Sequence, residues 1–284
     1  MTRAGRKTDA ATMLLMVLLI LTAAKLLLER LLALMLPHDL HQNTRFLLSM
    51  AQEALLIGLP ALLMRRGRSA RTGTMRLSIG LLLCAAVLGL AMRALVTPLT
   101  QLWGNFVSAP ERQIAAADSA GEWCLQLLAL AVLPAVLEEA LFRGVLLGGM
   151  KRFPPWAAVL LSGALFSLFH QNPAQTVYQF LFGCVFALVV IKSGSLLPAV
   201  FMHVLNNAFI IVYQYLGAEP GETASLILLI AGLIAAVGGI TCLLLCKTPP
   251  REERERPRYG VFFLYASLGI LYCAAMWALT LVAV

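Results

Sequence analysis

Acid, base and amide side chains recur at helical spacing in three otherwise apolar stretches of this sequence. The first reads Leu137-Glu138-Glu139-Ala140-Leu141-Phe142-Arg143-Gly144. Glu139 and Arg143 are four residues apart, so on a helix they share a face and can form an ion pair. Glu138 is turned about 100° from Glu139 around the same helix and can face a different neighbour. The second stretch ends Phe166-Ser167-Leu168-Phe169-His170, and the third holds His203-Val204-Leu205-Asn206-Asn207. His203 and Asn207 are also four apart and project together.

A carboxylate beside a histidine can activate water by taking its proton. A histidine and a carboxamide on one face supply donors for the oxyanion of an attacked carbonyl. Together these groups describe hydrolysis of an amide or ester by activated water, with Glu139–Arg143 locking the helix face. No serine or cysteine sits in a nucleophile motif, which disfavours a covalent route. Two histidines and a glutamate are also a familiar zinc set, but HExxH and HxxEH are absent and the histidines lie on separate stretches. The expectation is therefore no cofactor, with a divalent metal such as zinc as the alternative. The plainest rival is that these groups merely join helices by satisfying one another. That suffices for any one of them and poorly explains the whole set.

The elements that must position them are membrane helices. Of 284 residues, 60% are hydrophobic and 13% charged, against about 25% charged in soluble domains. The apolar residues come in blocks long enough to cross roughly 30 Å of hydrocarbon, without the alternation of a barrel. The blocks predict an all-α polytopic membrane bundle of about eight or nine transmembrane helices, forming one domain over residues 1–284. The spans fall at about 10–36, 46–64, 77–98, 123–149, 156–170, 177–191, 196–216, 224–246 and 259–284, the fifth and sixth being short for a crossing. A cytoplasmic N-terminus puts Arg65, Arg66, Arg68, Arg71 and Arg76 and the Lys247–Arg258 cluster inside. It leaves only Arg45 and Arg112 outside, as the positive-inside rule requires. Topology thus accounts for the net charge of +8, and no nucleic-acid motif is present. Residues 1–24 imitate a secretory signal, but the apolar run continues to Leu36, which suits an uncleaved first helix. The six cysteines form no CxxC pair and read as small packing residues.

Ionisable groups inside such spans are costly, and each invites an explanation. Lys25 and Glu29 are i,i+4 partners, and Glu53 is expected to pair with Arg93 or Arg30. A transporter would use the buried acids differently, but no inverted repeat is visible. A non-catalytic membrane immunity or regulatory partner is the other rival.

In order and spacing, the EExxxR, FxxxH and HxxxN motifs resemble the CPBP family of intramembrane proteases. That family includes type II CAAX prenyl endopeptidases and bacteriocin-processing relatives. Gly183 in an aromatic-rich helix, and Ser193-Gly194-Ser195-Leu196 before the last motif, add to the likeness, which covers a core of about residues 121–216. The resemblance implies a glutamate-dependent endopeptidase acting on a peptide or membrane-associated protein in the bilayer. Glu138 would be the base on water, helped by His170. His203 and Asn207 would hold the oxyanion, and Glu139 and Arg143 would support the site. The cavity is expected to open towards the cytoplasm. One difficulty is depth. His203 falls near the inner side, whereas His170 lies roughly 21 Å along its own span at 1.5 Å per residue, so a shared site needs different span ends from those drawn.

Overall fold

The computed structural model describes residues 41–59, 61–62, 79–107, 117–150, 153–217, 220–245 and 259–282. Every regular element among them is helical, as leucine- and alanine-rich segments without a period of two require. Helix α1 is Gln42–Glu53, continued by a wider π-turn segment, Ala54–Gly58. Helix α2 is Ile79–Gly104, α3 is Ala120–Leu146, α4 is Pro155–Phe169, α5 is Thr176–Ser193 and α6 is Leu197–Leu216. Helices α7, Glu222–Leu245, and α8, Tyr259–Val282, follow.

Five segments are long and apolar enough to cross a membrane: α2, α3, Pro173–Ser193, α6 and α7. The chain is thus an all-α membrane bundle. The expected first span lies outside the described residues. The fifth is short, as its sequence suggested. The sixth is not: the helical turn Pro173–Gln175 precedes α5 and lengthens the segment to 21 residues. Asn172 caps this turn, its side-chain oxygen accepting from the Ala174 amide at 3.0 Å, which moves the start four residues ahead of the apolar run.

Local chemistry sets the helix ends. Ser119 caps α3 by accepting from the Glu122 amide at 3.2 Å, while the Glu122 carboxylate accepts from the Asp118 amide at 2.8 Å, a close relative of the capping box. Gly194 and Gly217 end α5 and α6 with φ of 66° and 58°, where a side chain would be strained. Pro98 lies inside α2 and cannot bond the Ala94 carbonyl. The Thr97 and Thr100 hydroxyls donate to the carbonyls of Arg93 and Val96, each at 2.9 Å.

Helix α3 carries most of the site, and it is not a uniform α-helix. Two segments, Leu128–Val132 and Ala140–Leu146, are wound as wider π turns, a feature frequent at functional sites. The second holds Arg143. Helices α4 and α5 approach closely through Gly163 and Gly183, a Cβ on Gly183 falling 2.9 Å from the Gly163 Cα and 3.2 Å from the Phe166 Cβ. Small residues let membrane helices pack backbone to backbone. Around that crossing lie the fully buried Phe142, Phe166, Phe182, Phe186, Leu141 and Met202. Gly232 does the same for α7 against the Ala94–Leu95 backbone of α2.

Candidate active site

Arg143 is the best-held polar group of the site. Its guanidinium donates to Glu139 Oε1 at 2.7 Å and to the Gly183 carbonyl at 2.9 Å. It lies 4.4 Å from the Phe166 ring centroid and 5.2 Å from that of Phe186, a geometry in which aromatic faces attract a cation. Neither Glu139 nor Arg143 has exposed side-chain surface. The Gly163–Gly183 approach brings the α5 carbonyl within reach of this cation.

Glu139 has a second partner. His203 Nδ1 lies 3.0 Å from the same Oε1. An oxygen already paired with Arg143 accepts, so Nδ1 carries the hydrogen and donates. The His203 ring stacks on Phe186 at 5.0 Å between centroids, which leaves Nε2 as its free edge. His170 is fixed in the same way. Its Nδ1 lies 2.8 Å from the Phe166 carbonyl, which can only accept, so Nδ1 donates there and Nε2 again faces outward.

Both Nε2 atoms meet at Glu138. Its Oε2 is 4.0 Å from His170 Nε2 and 3.9 Å from His203 Nε2. The Glu138 and His170 side chains keep 13% and 20% of their surface exposed, while Glu138 Oε2 itself is buried without a hydrogen-bond partner. The two histidines therefore share a site despite the depth offset that the sequence suggested. Counting rise along parallel rods misjudged it, because the close α4–α5 crossing and the stacked rings carry the side chains together.

Asn207 sits beside this group, half-buried. Asn206 donates through Nδ2 to the Tyr178 hydroxyl at 2.5 Å and to Asn207 Oδ1 at 3.2 Å. With its carbonyl end so engaged, Asn207 is left with its amino end to offer. Glu138, Glu139, Arg143, His170 and His203 thus lie in one linked cluster on α3, the end of α4 and α6, and Asn207 stands one turn beyond His203 on α6, joined through Asn206 to Tyr178. Glu53 and Arg93 behave otherwise. Arg93 lies over the rings of Tyr178 and Phe209 and pairs with no carboxylate among the described residues, because it faces α5 and α6. Arg30 lies outside the described residues.

Residues 120–209 match the family described as type II CAAX prenyl endopeptidase Rce1-like. This segment is similar to that family of proteases. The likeness points to a membrane protease acting on peptide or protein substrates. The matched CPBP core covers about a third of the chain, from the first turn of α3 to Phe209 in α6, and helices α1, α2, α7 and α8 lie outside it. No curated protein matches the chain.

Two residues of the matched segment stand outside the motifs read from the sequence. Tyr178 orients Asn206, and Phe186 walls His203 and Arg143. A signal for them existed, since Tyr178, Phe182 and Phe186 recur every four residues along α5 and therefore line one face. Among the described residues, no group of three or more His, Cys, Asp or Glu side chains is arranged to hold a metal ion.

Proposed function

We propose that the protein is a glutamate-dependent intramembrane endopeptidase in which Glu138 activates water. The observation that carries this reading is the triangle at Glu138 Oε2, with His170 Nε2 at 4.0 Å and His203 Nε2 at 3.9 Å. Those distances are too long for direct hydrogen bonds and suit one water molecule bridging the groups.

The fixed tautomers assign the protons. Neutral His170 presents a bare Nε2, an acceptor, and so does the Glu138 carboxylate. A water between them donates one hydrogen to each and turns a lone pair towards the scissile carbonyl. As its oxygen bonds the carbonyl carbon, its proton passes to Glu138. His203, with Nδ1–H held by Glu139, takes a proton from solvent on Nε2 before the attack and so donates there. It then stabilises the oxyanion together with the Asn207 amino group. Glu138 returns the proton to the departing amide nitrogen, the C–N bond breaks, and a carboxylic acid and an amine result, the acid then losing its proton to the amine or to solvent. Arg143 and Glu139 hold the His203 ring and contact no substrate. Every step is written with side chains alone.

The substrate is a peptide or membrane-associated protein, and the site lies in the membrane with the N-terminus cytoplasmic, a topology that the basic loops support. The test is Glu138→Gln, which keeps volume and removes the base. Cells expressing wild type or variant at equal levels are compared by peptidomics. Defined peptides or trimmed termini are expected only with the wild type, with a rate loss of about 10²–10⁴-fold in the variant. Identical peptide profiles with an intact host phenotype would transfer the reading to a non-catalytic partner.

A further inference from the structure

We infer that Arg93 receives a carboxylate of the substrate on the flank of the Glu138 site, an inference that rests on the protease reading. Arg93 belongs to α2, outside the matched core. Its guanidinium carbon lies 5.9 Å from the Tyr178 ring centroid and 5.4 Å from that of Phe209. Nε is buried without a hydrogen-bond partner, and among the described residues no carboxylate pairs with this cation. Arg143, fully buried where Arg93 is partly buried, makes the contrast: it has a carboxylate, a carbonyl and two rings. An arginine inside a membrane protein is costly unless an anion or acceptors answer it. Two aromatic faces answer it only in part. The planar fork that remains matches a carboxylate, which can take two parallel N–H bonds.

Its place selects the source of that anion. Arg93 lies about 21 Å from the Ile79 end of α2 and about 17 Å from the Gly104 end at 1.5 Å per residue. Lipid phosphates lie outside hydrocarbon roughly 30 Å thick, so a mid-helix cation is out of their reach. A peptide entering the site is not. Tyr178, under Arg93, accepts from Asn206, which in turn donates to Asn207, and His203 is one turn away on α6. A carboxylate on Arg93 therefore sits beside the groups proposed to hold the oxyanion. It belongs either to the C-terminus of the peptide or to an acidic side chain near the scissile bond.

The test uses the full-length protein in proteoliposomes and a randomised synthetic peptide library, made once as free acids and once as C-terminal amides. Wild type is expected to favour acids by roughly tenfold or more, the range of a charge-assisted pair, and Arg93→Gln to bring the ratio close to one. Arg93→Lys, which keeps the charge and loses the fork, should fall between. If the preference resides instead in amides carrying Asp or Glu near the cut, and Arg93→Gln abolishes it, the carboxylate is a side chain. A wild-type ratio near one for both series, or a ratio unchanged in Arg93→Gln, overturns the inference. Binding of both libraries to Glu138→Gln separates it from the parent reading. If the wild type cleaves nothing, protease function fails, while an Arg93-dependent affinity for acids still upholds the carboxylate site.

Discussion

Removing the Arg143 side chain should damage the fold more than removing the whole ion pair. Arg143 and Glu139 are fully buried and joined at 2.7 Å. Glu139 Oε2 already has no hydrogen-bond partner. In Arg143→Met the carboxylate would keep His203 alone and remain a buried charge. Breaking a buried pair from one side costs about 3–5 kcal/mol, whereas replacing both partners by groups of similar volume is often nearly neutral. The variant also frees the Gly183 carbonyl, adding about 1–3 kcal/mol for a buried acceptor left unmade. We therefore expect Arg143→Met to lose at least about 3 kcal/mol and Glu139→Gln/Arg143→Met to recover part of that loss. Unfolding by detergent titration in mixed micelles would measure both. If the losses of the two single variants simply add in the double variant, or if Arg143→Met unfolds like the wild type, the pair is not held as the geometry states.

Asn207→Ala should lower kcat by about 10²–10³-fold with little change in KM, the mark of a donor used in the transition state; an effect confined to KM would remove Asn207 from that role. Gly183→Ala places a methyl 2.9 Å from the Gly163 Cα and should cost about 1–3 kcal/mol by overpacking, read in the same detergent titration, with activity falling as the Gly183 carbonyl shifts from Arg143. Trp277 of α8 donates its indole N–H to the Thr176 hydroxyl at 2.7 Å, and Trp103 of α2 donates to the Pro173 carbonyl at 2.9 Å; both flanking helices thus tie down the loop after His170. Trp277→Phe should lower kcat several-fold at constant KM in steady-state peptide cleavage, and equal kcat in the two proteins would refute the tether.

Much of the site was legible because helical spacing is short-range geometry. The Glu139–Arg143 pair follows from a separation of four, and the wider turns of Ala140–Leu146 do not break it. The helical class and the apolar spans follow from composition. What could not be read was carried by long-range contacts. The Arg143 to Gly183 bond joins residues 40 apart, and the His203 to Glu139 bond joins residues 64 apart. Spacing on one helix cannot name a partner on another. Arg93 shows the same limit, since its nearest acid by pattern, Glu53, lies on α1 while its side chain turns to α5 and α6.

Adjacent carboxylates acquire separate functions here through the 100° turn between neighbours on a helix. Glu139 points into the Phe166–Phe186 cage, where an arginine and a histidine use its Oε1 and no surface remains exposed. Glu138 points away from that cage, keeps 13% of its side-chain surface exposed, and has a buried Oε2 without a hydrogen bond. A group whose oxygen is consumed by structural partners cannot exchange protons with water, whereas one left between two histidine edges can. The division also explains why His203 belongs to both: Nδ1 is bound by the structural carboxylate and Nε2 is presented to the reactive one. Exchanging the environments should exchange the penalties. Glu139→Gln is expected to weaken the fold and misorient His203, with activity lost in step with stability, while Glu138→Gln should leave the unfolding midpoint near that of the wild type and remove turnover.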